Sequence, residues 1–173
     1  MTHSRIGRRP LVCFLLAANL LVTLTSAKSA EKVKGTLTYK GPNKTFTVVV
    51  THAYLVKGPD SFDANKTVRR LVFSTSDFSA MIKGATALDG FDGKLREGMI
   101  VDLVDGPRLN YWIVVNDQRV QYSGSVEPVA LKSTVDAPDH LAGKLMFDDS
   151  SAGGAKVEIE FDAPLLKSFI KTQ

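Results

Sequence analysis

The stretch TFTVVVTHAYLV, residues 45–56, sets the fold class. Apolar and β-branched residues alternate there with period two, which is the signature of a strand and not of a helix. Read as one strand, Phe46, Val48, Val50, His52, Tyr54 and Val56 share one face. Thr45, Thr47, Val49, Thr51, Ala53 and Leu55 share the other. Gly58-Pro59-Asp60 closes the run, because proline has no N–H to give to a ladder.

The same pattern recurs on both sides. VKGTLTY (33–39) comes first and is separated from the central run by the turn cluster Gly41-Pro42-Asn43-Lys44. TVRRLVFS (67–74), MIVDLV (99–104), RLNYWIVV (108–115) and RVQYSGS (119–125) follow. EPVALKSTV (127–135) reads as an edge strand, given Pro128. LAGKLMFDD (141–149) and AKVEIEFDA (155–163) read as a hairpin across residues 150–154. The closing PLLKSFIKTQ reads as a loose tail or a short helix.

One segment breaks the alternation. In residues 74–90, Phe78, Met81, Ile82 and Ala85 fall at helical spacing, with Ser76 or Asp77 placed to cap. One or two short helices are expected between Asp77 and Glu97. The whole predicts a mainly β fold: a single-domain antiparallel sandwich or small barrel with a short helical excursion around 77–97. Strands alternating with long helices, the pattern of a parallel sheet, are not seen.

Residues 1–27 differ in kind. Arg5, Arg8 and Arg9 precede a leucine-rich run from Leu11 to Thr25, and Thr25-Ser26-Ala27 are small. This is the layout of a secretory signal peptide. The apolar run, about 15 residues, is shorter than the roughly 20 that span a bilayer. The expected organisation is therefore 1–27 signal peptide and 28–173 one β-rich domain. The expected location is secreted or periplasmic, with no stable membrane insertion after cleavage.

Cleavage changes the charge balance. The chain of 173 residues carries 22 basic and 18 acidic residues, net +4. Three arginines leave with the signal peptide, so 19 basic residues face the same 18 acidic ones and the net charge falls to +1. A nucleic-acid binder needs a basic footprint, so no nucleic-acid partner is expected. Cys13 is the single cysteine and leaves too, so the mature chain has neither disulfides nor thiolate chemistry.

Four residues are candidates for ligand binding: His52, Tyr54, Asp60 and Trp112. A histidine on a core face is usually neutral and hydrogen-bonded, and this is the preferred reading of His52. If that face lines a cleft, His52 and Tyr54 become polar contacts for a ligand, with Asp60 in the adjoining turn. Leu109, Tyr111, Ile113 and Val115 make the better core face of 108–115, which turns Trp112 outward. An exposed tryptophan stacks on a sugar or anchors a partner. If both faces are covered, Trp112 is core, and the apolar Val114 beside it favours that.

No catalytic residue is assigned. There is no Gly-x-Ser-x-Gly elbow and no glycine-rich phosphate loop. His140, near Asp136 and Asp139, lies in a separate segment from His52, which is weak support for a metal. Residues 87–95, ALDGFDGKL, lack the oxygen spacing of a calcium loop. No metal or cofactor is assigned either.

The segments THAYLVKGPDSFD (51–63), VRRLVFSTSD (68–77) and VEIEFDAPL (157–165) make the chain similar to a group of uncharacterised exported bacterial β-rich proteins with no assigned activity. The resemblance implies an envelope or secreted location and a shared fold. It supplies no functional residues. The expected function is non-enzymatic binding of a small molecule or an envelope protein. The alternative is a secreted or periplasmic hydrolase using carboxylates with His52 or His140.

Overall fold

A computed structural model of the chain describes residues 32–63, 65–104 and 106–173; the segment read as a signal peptide lies outside them. The strands are β1 (Lys32–Lys40), β2 (Thr45–Val50), β3 (His52–Pro59), β4 (Thr67–Ser74), β5 (Gly98–Leu103), β6 (Leu109–Val115), β7 (Val120–Val126), β8 (Leu131–Ala137), β9 (His140–Asp148) and β10 (Ala155–Ser168). One α-helix, α1 (Ser79–Gly84), and a 3-10 turn at Asp92–Lys94 fill the excursion between β4 and β5. The fold is mainly β, a curled open sheet with one short helix.

The sheet runs β2-β1-β10-β3-β4-β5-β6-β7, and β9 and β8 branch from β10. β10 makes this curl. Its first part, up to Asp162, lies between β1 and β9, antiparallel to both. From Leu165 it pairs with β3 instead, in parallel, after a register shift between Leu165 and Lys167. Pro164 sits at the change of partner, where a missing N–H costs no ladder bond. Two expectations change here. The closing segment is strand up to Ser168 and not a tail, and one pairing in an otherwise antiparallel sheet is parallel.

The central run 45–56 is two strands and not one. Thr51 interrupts it, donating its N–H to Ser74 O at 3.0 Å and its hydroxyl to Thr75 O at 2.8 Å. The chain turns a corner there and the face alternation slips by one residue. Val48 and Val50 point into the core inside the curl, and past the corner Ala53 and Leu55 do. His52, Tyr54 and Val56 go to the opposite side. The expectation that they share a face with Phe46, Val48 and Val50 is corrected by this slip.

Every strand contributes to one interior core, from Leu37 on β1 to Phe161 on β10. A second core lies outside it, on the outer face of β3 to β6. There Tyr54, Val56, Val72, Ile100 and Val114 meet Phe78, Ile82, Leu88, Phe91 and Leu95 from the excursion, with Phe169 from the chain end. The excursion is thus a cap over one layer. It explains why LVF in β4 and IVV in β6 are continuous apolar runs: those strands are buried on both faces. Gly98 closes the β4–β5 pair where the two backbones come together. Its φ is +149°, and a Cβ there would stand 1.9 Å from Phe73 O. Among the described residues no helix is long and apolar enough to cross a membrane.

Candidate functional site

The site begins with a charge in an apolar strand. Arg70 alternates onto the outer face of β4. Its row across the sheet reads Val56, Arg70, Asp102, Asn110, Ser125 from β3 to β7. Arg70 is 6% exposed. A buried guanidinium needs partners for its N–H groups, and the fold supplies them. Nε donates to Asp102 Oδ1 at 2.6 Å and Nη2 to Asp102 Oδ2 at 3.3 Å. Nη1 reaches the cap: Leu88 O at 3.3 Å, Asp89 Oδ1 at 3.1 Å and both oxygens of Asp92 at 3.0 Å.

The electrostatics are lopsided, with one cation against three carboxylates. Burial alone would lower the Arg70 pKa. The hydrogen bond to Asp102 and the charges of Asp102, Asp92 and Asp89 outweigh it, so the net shift is upward. Asp92 goes the other way from an ordinary carboxylate. Burial first, then the charges of Asp89 and Asp102, push it up to about 6 against the opposing pull of Arg70.

The cap stops short of β7. Beyond its edge the outer face of the sheet is open, and two adjoining hollows run over it. The larger, 580 Å³, lies between the described residues that link β3 to β4, 60–63 and 65–66, and Arg70, Asp102 and Asn110. The smaller, 390 Å³, is floored by Asp102, Asn110, Trp112, Ser123 and Ser125. Asp102 and Asn110 belong to both, so the hollows form one groove. Arg70 and Asp102 form its wall on the cap side.

Of the four sequence-expected residues, two line this groove. Asp60 borders the larger hollow, but its carboxylate is engaged in the turn, accepting the N–H groups of Phe62 at 2.7 Å and Asp63 at 3.0 Å. That bracing holds Phe62 out, fully exposed, at the groove's far end. Trp112 borders the smaller hollow. It is half-buried, packed on one side against the second core and open on the other. Neither reading of it alone is sufficient, because the cap covers its β5 neighbours and leaves β7 bare.

His52 and Tyr54 do not meet the other two. The His52 ring stacks on Tyr54 with centroids 6.1 Å apart, and its Nδ1 lies 2.9 Å from Thr51 Oγ1. Tyr54 is buried and its hydroxyl donates to Asp77 Oδ1 at 2.9 Å while accepting the Phe78 N–H at 2.8 Å. Asp77 also accepts the Ser79 N–H at 2.8 Å. Hydrogen bonds from Ser79, then from Tyr54, with His52 nearby, bring its pKa down to about 2. These residues fasten the start of the cap.

His140 donates from Nε2 to Asp162 Oδ1 at 2.5 Å on the outer face of β9 and β10. Asp136 pairs with Arg69 at 2.6 Å, while Asp139 accepts the Leu165 N–H through its backbone carbonyl. The three are not gathered around one point. Among the described residues no group of three or more His, Cys, Asp or Glu could hold a metal ion. The Arg70 cluster is the feature that sequence reading missed. Its signal was an arginine pair inside a strand that is apolar on both faces, with aspartates at 89, 92 and 102.

No protein family, curated protein or solved structure matches the chain.

Proposed function

We propose that this chain is an exported, non-enzymatic binding domain that takes a small polar ligand in the groove beside the cap. One observation carries it: the groove is open and preformed, and the carboxylates around it are already engaged. Asp102 and Asp92 are held by Arg70, Asp60 by its own turn, and His52 and His140 lie elsewhere with Thr51 and Asp162. What else faces the groove is a tryptophan face, an amide, hydroxyls and the Lys66 ammonium beside Asp63, groups that suit binding. Export rests on residues 1–27 and the location on that same segment.

The hydrolase alternative has one observation in its favour, the raised pKa of Asp92. Its partner is an arginine, however, and among the described residues His52 and His140 are paired elsewhere, with Thr51 and Asp162.

Native mass spectrometry of the chain recovered from the exporting cell tests the binding reading. A mass in excess of the chain cleaved after Ala27, lost on denaturation, is the expected result. A bare chain that stays bare in concentrated small-molecule extract of the same cells would contradict it.

A further inference from the structure

We infer that the ligand is a neutral saccharide chain, with one ring stacked on Trp112. This rests on the groove being the binding site and names its occupant.

Trp112 is the single tryptophan of the chain. Its inner side is fixed by the second core and its outer side faces the groove. A rigid, half-exposed indole on a sheet is a flat apolar platform of the size of one sugar ring, whose axial C–H bonds suit the negative ring face. Short polar groups surround it. Ser123 is its direct cross-strand partner on β7. Asn110 is two residues back on the same strand, about 7 Å away, with Asp102 and Ser125 as its own partners on either side. An amide and hydroxyls offer both donors and acceptors, which is what vicinal sugar hydroxyls need.

Other ligand classes fit less well. An anion would want a cation with no carboxylate of its own. Arg70 faces three carboxylates, and Lys66, in the larger hollow, has Asp63 at 3.8 Å beside it. An ammonium ligand would want several aromatic walls, and Trp112 is the one aromatic side chain exposed in this hollow. An apolar ligand would strip water from Asn110, Ser123 and Asp102 without replacing the hydrogen bonds.

The groove's length indicates a chain in preference to one ring. It continues from Trp112 past Asn110 into the larger hollow, where Phe62 stands exposed on its braced turn. An aromatic face at each end with polar groups between suits successive sugar rings.

The sole tryptophan reports on its own site. The full-length protein, titrated separately with cellohexaose, chitohexaose and maltohexaose, is expected to show a saturable shift in tryptophan emission with at least one of them. Sodium phosphate and choline are expected to leave it unchanged. By calorimetry Trp112→Ala is expected to weaken that sugar at least tenfold. Asn110→Ala and Ser123→Ala, at exposed positions that do not serve the core, are each expected to weaken it several-fold while keeping the unfolding midpoint.

Failure of all three sugars to bind would overturn the saccharide assignment. So would binding that survives Asn110→Ala and Ser123→Ala unchanged. The two levels separate cleanly. If no sugar binds but another small molecule is retained and lost in Trp112→Ala, the saccharide falls and the groove stands. If that molecule is retained equally by Trp112→Ala, both fall.

Discussion

Arg70 presents Nε and Nη2 to the two carboxylate oxygens of Asp102, at 2.6 and 3.3 Å, and so keeps its remaining terminal nitrogen for the cap. The fork geometry of arginine makes this division possible. One end ties β4 to β5 and the other holds Asp89 and Asp92 down on the sheet. The groove wall is a consequence of this clamp.

Arg70→Met therefore leaves three carboxylates close together with no cation between them. Removing one partner from a buried charge cluster typically costs about 3–5 kcal/mol. Arg70→Lys should recover only part of that, because an ammonium cannot bridge Asp102 with two parallel bonds while also reaching the cap. Urea denaturation of the three proteins checks the order: wild type, then Lys, then Met.

Asp92 gives a pH dependence of unusual sign. Its folded pKa, about 6, lies above the ordinary aspartate value of 3.8. Between those values the folded state holds more protons than the unfolded one, so stability falls as pH rises from about 4 to about 6. The protonated-form contribution is complete below the unfolded pKa and gone above the folded one. Asp92→Asn removes this slope and should stabilise the protein at pH 7. The carboxylate is 28% exposed, so after solvent screening the gain is on the order of 1 kcal/mol. Melting curves at pH 4, 5, 6 and 7 for both proteins measure it, and identical slopes would contradict it.

Tyr54 and His52 lie side by side but should respond differently. Tyr54→Phe leaves the buried Phe78 amide without its acceptor, which costs about 1–3 kcal/mol. His52 is partly exposed, and its neighbour Thr51 retains Thr75 O as a partner. His52→Leu should change stability by less than about 0.5 kcal/mol. Equal losses from the two substitutions would contradict this placement.

Gly98→Ala should be severe. The new Cβ would meet the Phe73 carbonyl in a backbone conformation that L residues rarely adopt. Strain of this type costs on the order of 3 kcal/mol, mainly by forcing β4 and β5 apart. Gly93→Ala, where nothing lies within 4 Å of an added Cβ, is the matched control.

Most strands were legible because one face of each must be apolar and the alternation announces it. Residues 67–74 were read to their ends. The corner at Thr51 was not legible, since the alternation on either side is intact and a slip of one residue leaves no mark in composition. The end of β10 was hidden by Pro164, which reads as a stop unless a partner change occurs there. For the site, Trp112 could be placed on the outer face by period alone. Whether that face was covered depended on how far the cap extends. The burial of Arg70 was not legible, because the carboxylates that surround it come from residues 19 to 32 positions away.

Amide hydrogen exchange tests the groove most directly, comparing the protein as isolated from the cell that makes it with the same protein stripped of small molecules by unfolding and refolding. If the groove is the site, the as-isolated form is more protected at residues 60–63 and 65–66 and in β6 and β7. Protection confined to β9 and the first half of β10, or no difference between the two forms, would contradict it.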